Sequence, residues 1–339
     1  PTAHFNPKLY TGTGSELAVT GVGFQPDFTW IKTRQLSYNH RVFDVVRGVT
    51  KELYPNSNAI EVTDDPQTLK SFDSDGFTLG TSSGVNPSSS SNMASWNWKA
   101  GGSAASIGTG SITSSVSANT TNGFAIAGFQ GNATDGATFG HGLSQKVEFA
   151  IVKSRDSASK PIVWYDGLSD TQCLELSNAN GTQTSVTPFW DTSSMSSSLF
   201  ALGNNDDTNK SGDDFIAWMW HSVDGYSKVG SYTGNGNANG PFAYTGFRPA
   251  FIMLKGTIAT VHWHMFDSAR YTYNETDNGV NGGIAANLTA MNSGEGAGPI
   301  DILSNGFKIR NANGNDNNNG TTFIYLAFAE SPFKYSNAR

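Results

Sequence analysis

The sequence predicts an all-β protein built from three tandem copies of one sandwich-like unit. Alternating apolar and polar runs are separated by Gly- and Asn-rich turns at intervals of about 8–12 residues, which is typical of strands in sandwiches or barrels. No stretch of ten or more residues carries apolar positions at helical spacing. Four anchor motifs also recur three times in the same order, and such self-similarity predicts repeated units.

The first two anchors are a strand that ends in lysine and, after it, an aspartate that follows two apolar residues. The lysines are Lys32, Lys153 and Lys255. The aspartates are Asp44, Asp166 and Asp267, which follow their lysines by 12, 13 and 12 residues. We therefore predict that the three lysines occupy equivalent strand positions.

The other two anchors are a phenylalanine that opens a short strand and an aromatic strand that closes the unit. The opening residues are Phe77, Phe200 and Phe307. The closing strands end at Trp98, Trp220 and Phe328, which lie 21, 20 and 21 residues further on. Within the closing strands, Trp96 and Trp98 share one face, as do Trp218 and Trp220. We predict that these tryptophans pack in the sandwich cores; a sugar-stacking platform is the alternative.

The anchor spacing divides the chain into units at residues 1–104, 105–224 and 225–339. Residues 101–121 are small and polar, which predicts a flexible linker. Ile112 and Val116 within it favour an alternative, an extra edge strand of the second unit. The join at 223–226 is short, so we expect units two and three to be held rigidly together and unit one more loosely.

Composition excludes several function classes. Charged residues make up 14% of the chain, against about 25% in typical domains. The formal net charge is −7 and no basic run is present, so a nucleic-acid partner is not expected. Cys173 is the single cysteine, which rules out an intrachain disulfide, and its alternating neighbours predict a buried thiol in a strand. We expect a soluble chain without signal peptide or membrane insertion, because no apolar run approaches ~20 residues.

Several segments resemble a repeat that is widespread in virion proteins of marine tailed bacteriophages. They are residues 20–32, 43–48, 72–80, 96–102, 230–236, 244–250 and 327–335. The resemblance covers nearly the whole chain. It implies a jelly-roll fold similar to concanavalin A-like domains and a place among tail-fibre-like or other surface proteins of the particle. It supplies no catalytic or binding residues.

Catalytic motifs are missing from the predicted strands. A jelly-roll glycosidase needs two carboxylates about 5–10 Å apart around the scissile bond. Glu61, Asp64 and Asp65 cluster, but among turn residues, and we predict a solvated loop there. No Gly-x-Ser-x-Gly elbow is present either. We therefore expect no enzymatic activity, with a polysaccharide-degrading enzyme as the less favoured alternative.

Acidic and histidine clusters give two metal hypotheses and one structural one. Asp206, Asp207, Asp213 and Asp214 lie in oxygen-rich loops, which suit calcium; a solvated loop is the alternative. His262 and His264 share one strand face but lack a third ligand, since His40 is far away in sequence, so no zinc site is predicted. Arg47 and Arg270 follow Asp44 and Asp267 by three residues, while the second copy has Ser169. This recurrence predicts a structural Asp–Arg pair.

The sequence as a whole favours a structural or adhesion protein of a phage virion, of tail-fibre or spike type. Its low-charge surface, rich in Asn, Ser and Tyr, suits contact with neutral carbohydrate on the host surface. A capsid-attached decoration or head-fibre protein without receptor binding is the main alternative. We expect other virion proteins as partners, no cofactor other than possible calcium, and a homotrimer. Against the trimer, three units in one chain could form a pseudo-threefold monomer.

Overall fold

The computed structural model describes residues 4–331 except 89, 259, 271–282 and 291–298. Within these residues the protein is all-β, with two one-turn helices, α1 (Asp206–Asn209) and α2 (Gly314–Asn317). No helix there is long and apolar enough to cross a membrane. The strands, in chain order, are β1 Phe5–Thr11, β2 Leu17–Thr20, β3 Phe28–Thr33, β4 Arg41–Asp44, β5 Leu69–Asp73, β6 Gly76–Leu79, β7 Asn92–Trp98, β8 Ala105–Ile107, β9 Ser114–Asn119, β10 Phe124–Gln130, β11 Ala137–Gly140, β12 Phe149–Ser154, β13 Ile162–Tyr165, β14 Gln172–Glu175, β15 Gln183–Thr184, β16 Leu199–Leu202, β17 Asp214–Trp220, β18 Ser227–Thr233, β19 Phe242–Tyr244, β20 Pro249–Gly256, β21 His264–Asp267, β22 Ile284–Ala285, β23 Ile300–Leu303, β24 Gly306–Ile309 and β25 Thr322–Ala329.

Three larger sheets contain the same antiparallel strand order. It reads β1-β7-β3-β4 in the first segment (1–104), β10-β17-β12-β13 within the eight-stranded sheet of the second (105–224), and β18-β25-β20-β21 in the third (225–339). Lys32, Lys153 and Lys255 lie on the third strand of each order, opposite Ala94, Ile216 and Ile324. The predicted equivalence of the three lysines is confirmed.

A smaller sheet covers the outer face of each larger sheet. These smaller sheets are β2-β6-β5, β11-β16 and β19-β24-β23. An apolar cluster fills each of the three sheet-to-sheet spaces, around Phe77, Phe200 and Phe307 respectively. The inner strands are thus buried on both faces, which explains why β12 and β20 are largely apolar and why every residue of β3, including Thr29 and Lys32, is buried.

A fourth apolar cluster lies between the three larger sheets and is shared by all three segments. It contains Trp98 from the first segment, Trp220 from the second and Phe328 from the third. The ring centroids of Trp98 lie 6.2 Å from Trp220 and 5.5 Å from Phe328. The closing-strand tryptophans are buried as predicted, but in this central core rather than inside separate sandwiches. Their burial also excludes the sugar-platform alternative for them.

Residues 101–121 are not a flexible linker. They form β8 and β9, which extend the eight-stranded sheet beyond β10. The edge-strand alternative is therefore the one observed. The first segment is also not loosely attached, because Phe5 and Trp98 lie in the central core.

Each buried lysine joins its own segment to a neighbouring one. Every ammonium donates a hydrogen bond to the carbonyl oxygen six residues further along the chain, at Tyr38, Ser159 and Val261. Each also donates to a carbonyl oxygen of another segment. For Lys32, Lys153 and Lys255 these acceptors are Thr289, Asn58 and Ala179. The lysine of the first segment thus donates a hydrogen bond to the third segment, that of the third to the second, and that of the second to the first.

Three buried asparagines, which sequence reasoning missed, hold the loops that follow β1, β10 and β18. They are Asn86, Asn209 and Asn317. Each Oδ1 accepts a backbone N–H, from Thr13, Asn132 and Asn235 respectively. Each Nδ2 donates to the carbonyl oxygen six residues earlier, at Gly80, Gly203 and Asn311. Buried polar groups need such partners, so these side chains fix the loops.

Candidate functional site

The recurring Asp–Arg pairs join segments. Asp44 Oδ2 accepts hydrogen bonds from Arg47 Nε at 2.6 Å and from Trp218 Nε1 of the second segment at 3.2 Å. The Arg47 guanidinium lies 5.7 Å from the centroid of the Trp218 ring, within cation–π range. The predicted structural pair is thus present, and it acts across a segment boundary.

The third segment repeats this arrangement with the first. Asp267 Oδ2 accepts from Arg270 Nε at 2.5 Å and from Trp96 Nε1 at 3.0 Å. All of these oxygen atoms are occupied by protein donors, so the arrangement serves stability rather than ligand binding.

Asp166 is not the structural counterpart of Asp44 and Asp267, contrary to the sequence prediction. Asp44 lies opposite Phe28 on the neighbouring strand, and the residue opposite the matching Phe149 is Tyr165. Asp166 falls one position later, is exposed, and forms an ion pair with Lys146 at 3.0 Å. This one-residue shift explains the odd spacing of 13.

The junction of the second and third segments therefore lacks the Asp–Arg–Trp arrangement. Leu326 takes the position on its closing strand that Trp96 and Trp218 take on theirs. The residues opposite them, Met253, Trp30 and Ile151, are equivalent positions of β20, β3 and β12. Tyr165 stands in place of the aspartate. Apolar packing holds this junction together with hydrogen bonds from Lys255 Nζ to Ala179 O and from Trp263 Nε1 to Glu175 O.

Glu61 is not in a solvated loop, which corrects another prediction. Its carboxylate is buried and lies 3.0 Å from Arg47 of the first segment and 2.8 Å from Arg155 of the second. Burial by itself would raise the pKa of Glu61, but the two guanidinium groups outweigh burial and lower that pKa. Asp64 is exposed and Asp65 half-buried, so the three acids do not form a paired-carboxylate site.

The histidines each bond to protein groups. His264 Nδ1 lies 2.7 Å from Asp316 Oδ1, with both side chains fully buried. His40 Nδ1 accepts from Trp30 Nε1, and burial holds the pKa of His40 well below its usual range. His262 contacts Asn287. Across the described ranges no three His, Cys, Asp or Glu side chains are grouped to hold a metal ion.

Protein donors reach three of the four calcium candidates. Asp207 accepts the backbone N–H of Lys160 at 3.2 Å. Asp213 accepts from Ser154 Oγ at 2.9 Å and pairs with a neighbouring lysine. Asp214 lies 3.9 Å from the Arg155 guanidinium. Asp206, in the first turn of α1, is exposed.

Cys173 is a buried thiol on β14, where the alternating pattern placed it. Burial raises the pKa of the thiol to about 12. The thiolate, which is the reactive form, is therefore scarce at neutral pH, and the residue acts as a small apolar side chain.

An exposed aromatic pair distinguishes the third segment. Phe242 and Tyr244 point outward from β19 and are 45% and 64% exposed, while Ala243 between them is buried. Ala243 lies opposite Phe307, just as Val19 lies opposite Phe77 in the first segment and Phe139 opposite Phe200 in the second. The positions that match Phe242 and Tyr244 hold Ala18 and Thr20, and Thr138 and Gly140. The fold thus does not require aromatic residues there.

A groove of about 550 Å³ lies beside this pair, between β18 and β19. Lys228 of β18, Tyr244 of β19 and Gln145 of the second segment all line it. The remaining lining is polar or small and comprises Ser222, Val223, Asp224, Gly225, Ser227, Thr245 and Gly246. An aromatic ring with nearby amide, hydroxyl and charged groups suits a ligand that has both apolar and hydroxyl-bearing faces.

A family model described as a domain of unknown function, DUF7483, matches residues 1–332. The chain belongs to the DUF7483 family. No curated protein and no solved structure shows significant similarity to it.

Sequence reasoning missed the aromatic pair of this DUF7483 chain, although a signal was available. Aligning the three copies on Phe77, Phe200 and Phe307 does not reveal the pair, because the segments between these residues and the preceding strands β2, β11 and β19 differ in length. The usable signal is the pattern of two aromatic residues around one alanine, next to Gly and Pro. Such a pattern predicts a strand with one buried and one exposed face.

Proposed function

We propose that this DUF7483 protein is a structural or adhesion protein of a phage virion, of tail-fibre or spike type, that contacts neutral carbohydrate on the host surface. The exposed pair Phe242 and Tyr244 is the observation that carries the carbohydrate part. The virion part rests on the motif resemblance of residues 20–32, 72–80 and 244–250.

The geometry of the pair suits sugar rings. Residues two apart on a strand project from the same face, roughly 6.5–7 Å apart, so the two aromatic side chains form one platform. Exposed apolar residues that lie next to one another mark binding surfaces more often than exposed apolar residues that are scattered singly. The neighbouring groove supplies hydroxyl, amide and charged groups that can bond to sugar hydroxyls. Host glycans with apolar ring faces are therefore the ligands that we propose.

We further propose that the three segments are copies of one jelly-roll or concanavalin A-like sandwich, arranged around a pseudo-threefold axis. The shared strand order of the larger sheets and the cyclic lysine contacts support this arrangement. Because one chain already closes the apolar centre, a pseudo-threefold monomer is better supported than the homotrimer that we expected from sequence. Other virion proteins remain the proposed partners.

A sugar-binding panel tests the proposal. We expect the protein to bind neutral glycans, and the double variant Phe242→Ala/Tyr244→Ala to weaken binding about tenfold or more, since each lost aromatic contact is worth about 0.5–1.5 kcal/mol beyond its buried area. Tyr38→Ala is the matched control, because Tyr38 is also a surface tyrosine, 38% exposed, but lies far from β19 in the chain. Its binding should equal that of the parent.

Two results would contradict the proposal. Absence of glycan binding, with the chain located on the capsid by electron microscopy of the particle, would favour a decoration protein. Release of new reducing ends from host polysaccharide would favour the enzymatic alternative.

A further inference from the structure

The outer edge of β18 is covered only in its first half, where Ser227 pairs with Val223 and Val229 N donates to Ser222 Oγ. β25 is the one strand hydrogen-bonded to β18 among the described residues. Bonds from Gly234 N to Thr321 O and from Ala329 N to Tyr226 O show which positions face β25. Because the pattern alternates, the N–H and C=O groups of Ser231 and Thr233 point away from β25.

The same edge is filled in the second segment. Phe124 of β10 lies opposite Trp220, as Ser227 of β18 lies opposite Phe328, so β10 and β18 occupy equivalent places. In this alignment Gly128 corresponds to Ser231. Gly128 lies opposite Ser115 of β9, which covers the outer edge of β10.

The first segment protects its equivalent edge in another way. Phe5 of β1 lies opposite Trp98, so Pro7 corresponds to Val229 of β18. Pro7 has no N–H to offer a foreign strand, and proline on an edge strand is a common means of blocking such pairing. Among the described residues, β18 is the one of the three equivalent edge strands that has neither a covering strand nor a proline.

The third segment also has space for a strand. In the second segment β9 lies beside β11, where Ser114 Oγ donates to the carbonyl oxygen of Gly140 at 2.7 Å. In the third segment the matching place beside Tyr244 is the groove of about 550 Å³ between β18 and β19. A second cavity of about 210 Å³ lies beside Ser231; it is lined by Val229, Gly230 and Ser231 of β18, Ile324 of β25, and Glu148, Tyr165 and Asp166 of the second segment.

We propose that the edge of β18 binds an extended segment of another protein chain, which takes the place that β9 takes on β10. The occupant is a strand of small and polar residues with one β-branched apolar residue, because β9 has this composition and buries Val116. Backbone hydrogen bonds to Ser231 and Thr233 supply the affinity, as in other complexes formed by strand addition. This partner would occupy the groove beside Tyr244, so it would compete there with the carbohydrate proposed for Phe242 and Tyr244.

Hydrogen exchange with a β9 peptide tests this. The probe is a synthetic peptide with the sequence of residues 112–120, blocked at both ends. We expect it to slow amide exchange at Ser231 and Thr233 by about tenfold or more, which corresponds to about 1.4 kcal/mol of protection. The amides of Gly230 and Tyr232, which already bond to β25, should not change.

Variants at one position sharpen the test. Ser231→Pro removes an outward N–H and should weaken peptide binding about tenfold. It should leave the fold intact, because that N–H does not bond to β25 and β1 tolerates proline at an outward position. Ser231→Thr keeps the N–H and should bind like the parent.

Unchanged exchange at Ser231 and Thr233 with millimolar peptide would overturn the proposal. So would protection elsewhere, equal binding by Ser231→Pro, or pairing of β18 with a second copy of the chain. Should Ser231→Pro fail to fold, the exchange pattern of the parent protein decides. Loss of glycan binding in the Phe242/Tyr244 variant tests the carbohydrate proposal separately.

Discussion

At the residue scale, the three buried lysines are the most unusual feature. Their ammonium groups are solvated by backbone carbonyl oxygens, and none takes part in the ion pairs of the described residues. Burial lowers the pKa of Lys32 and Lys153 to about 8 and the pKa of Lys255 to about 7. These values lie well below the ordinary lysine pKa of about 10.4.

The lysines predict a stability that rises with pH. Between about pH 7 and the unfolded lysine pKa of about 10.4, the unfolded chain binds more protons than the folded one, so the free energy of unfolding increases with pH. Urea unfolding from pH 7 to pH 9.5 should show this rise. Higher pH is avoided because burial raises the pKa of Tyr226 and Tyr232, which adds the opposite trend.

A variant in which all three lysines are methionine is the control for this prediction. Its unfolding free energy should not rise over the same range; a small fall is expected near pH 9, because burial raises the pKa of the Cys173 thiol. A parent protein that loses stability from pH 7 to pH 9.5 would contradict the burial of these groups.

Glu61 gives a second prediction at this scale. Glu61→Gln leaves the guanidinium of Arg47 buried without one of its carboxylates and should cost about 3–5 kcal/mol of unfolding free energy. Asp64→Asn, at an exposed neighbouring position, should change it by less than about 0.5 kcal/mol. Equal effects of the two substitutions in urea unfolding would show that Glu61 is solvated.

At the element scale, the closing strands differ in how they join neighbouring segments. Trp218→Phe removes the Nε1–H that bonds to buried Asp44, and the lost hydrogen bond should cost about 0.5–1.5 kcal/mol beyond the loss of ring size, since Arg47 Nε still bonds to the same oxygen. Trp220→Phe is the matched control, because its Nε1 has no hydrogen-bond partner. Chemical denaturation of both variants measures the difference. Equal losses would mean that the bond across the segments contributes little.

The elements were largely predictable from sequence, and the joins between them were not. The strands that contain Lys32, Lys153 and Lys255 could be predicted, because a strand buried on both faces shows a run of apolar residues in the local sequence. The central core could not be predicted in this way. A buried tryptophan gives the same sequence pattern whether it packs inside one sandwich or between two segments. Glu61 looked solvated for the same reason: its partner Arg155 is 94 residues away in sequence.

At the scale of the whole molecule, one apolar cluster joins all three segments of the chain. Light scattering at micromolar concentration should therefore give a mass near 36.1 kDa. The physical reason is that the largest aromatic residues are already buried within the chain. A mass near three times that value would instead support the homotrimer that we expected from sequence.

The central claim is that the three segments share one core and unfold as one unit. Trp220 contacts Phe28 of the first segment and Phe124 and Phe149 of the second. The deciding measurement is native-state hydrogen exchange of Trp220→Ala. We predict that the slowest amides of β3, β12 and β20 all lose the same protection, about 3–5 kcal/mol. A loss confined to β12 would show that the second segment unfolds separately and would contradict the shared core.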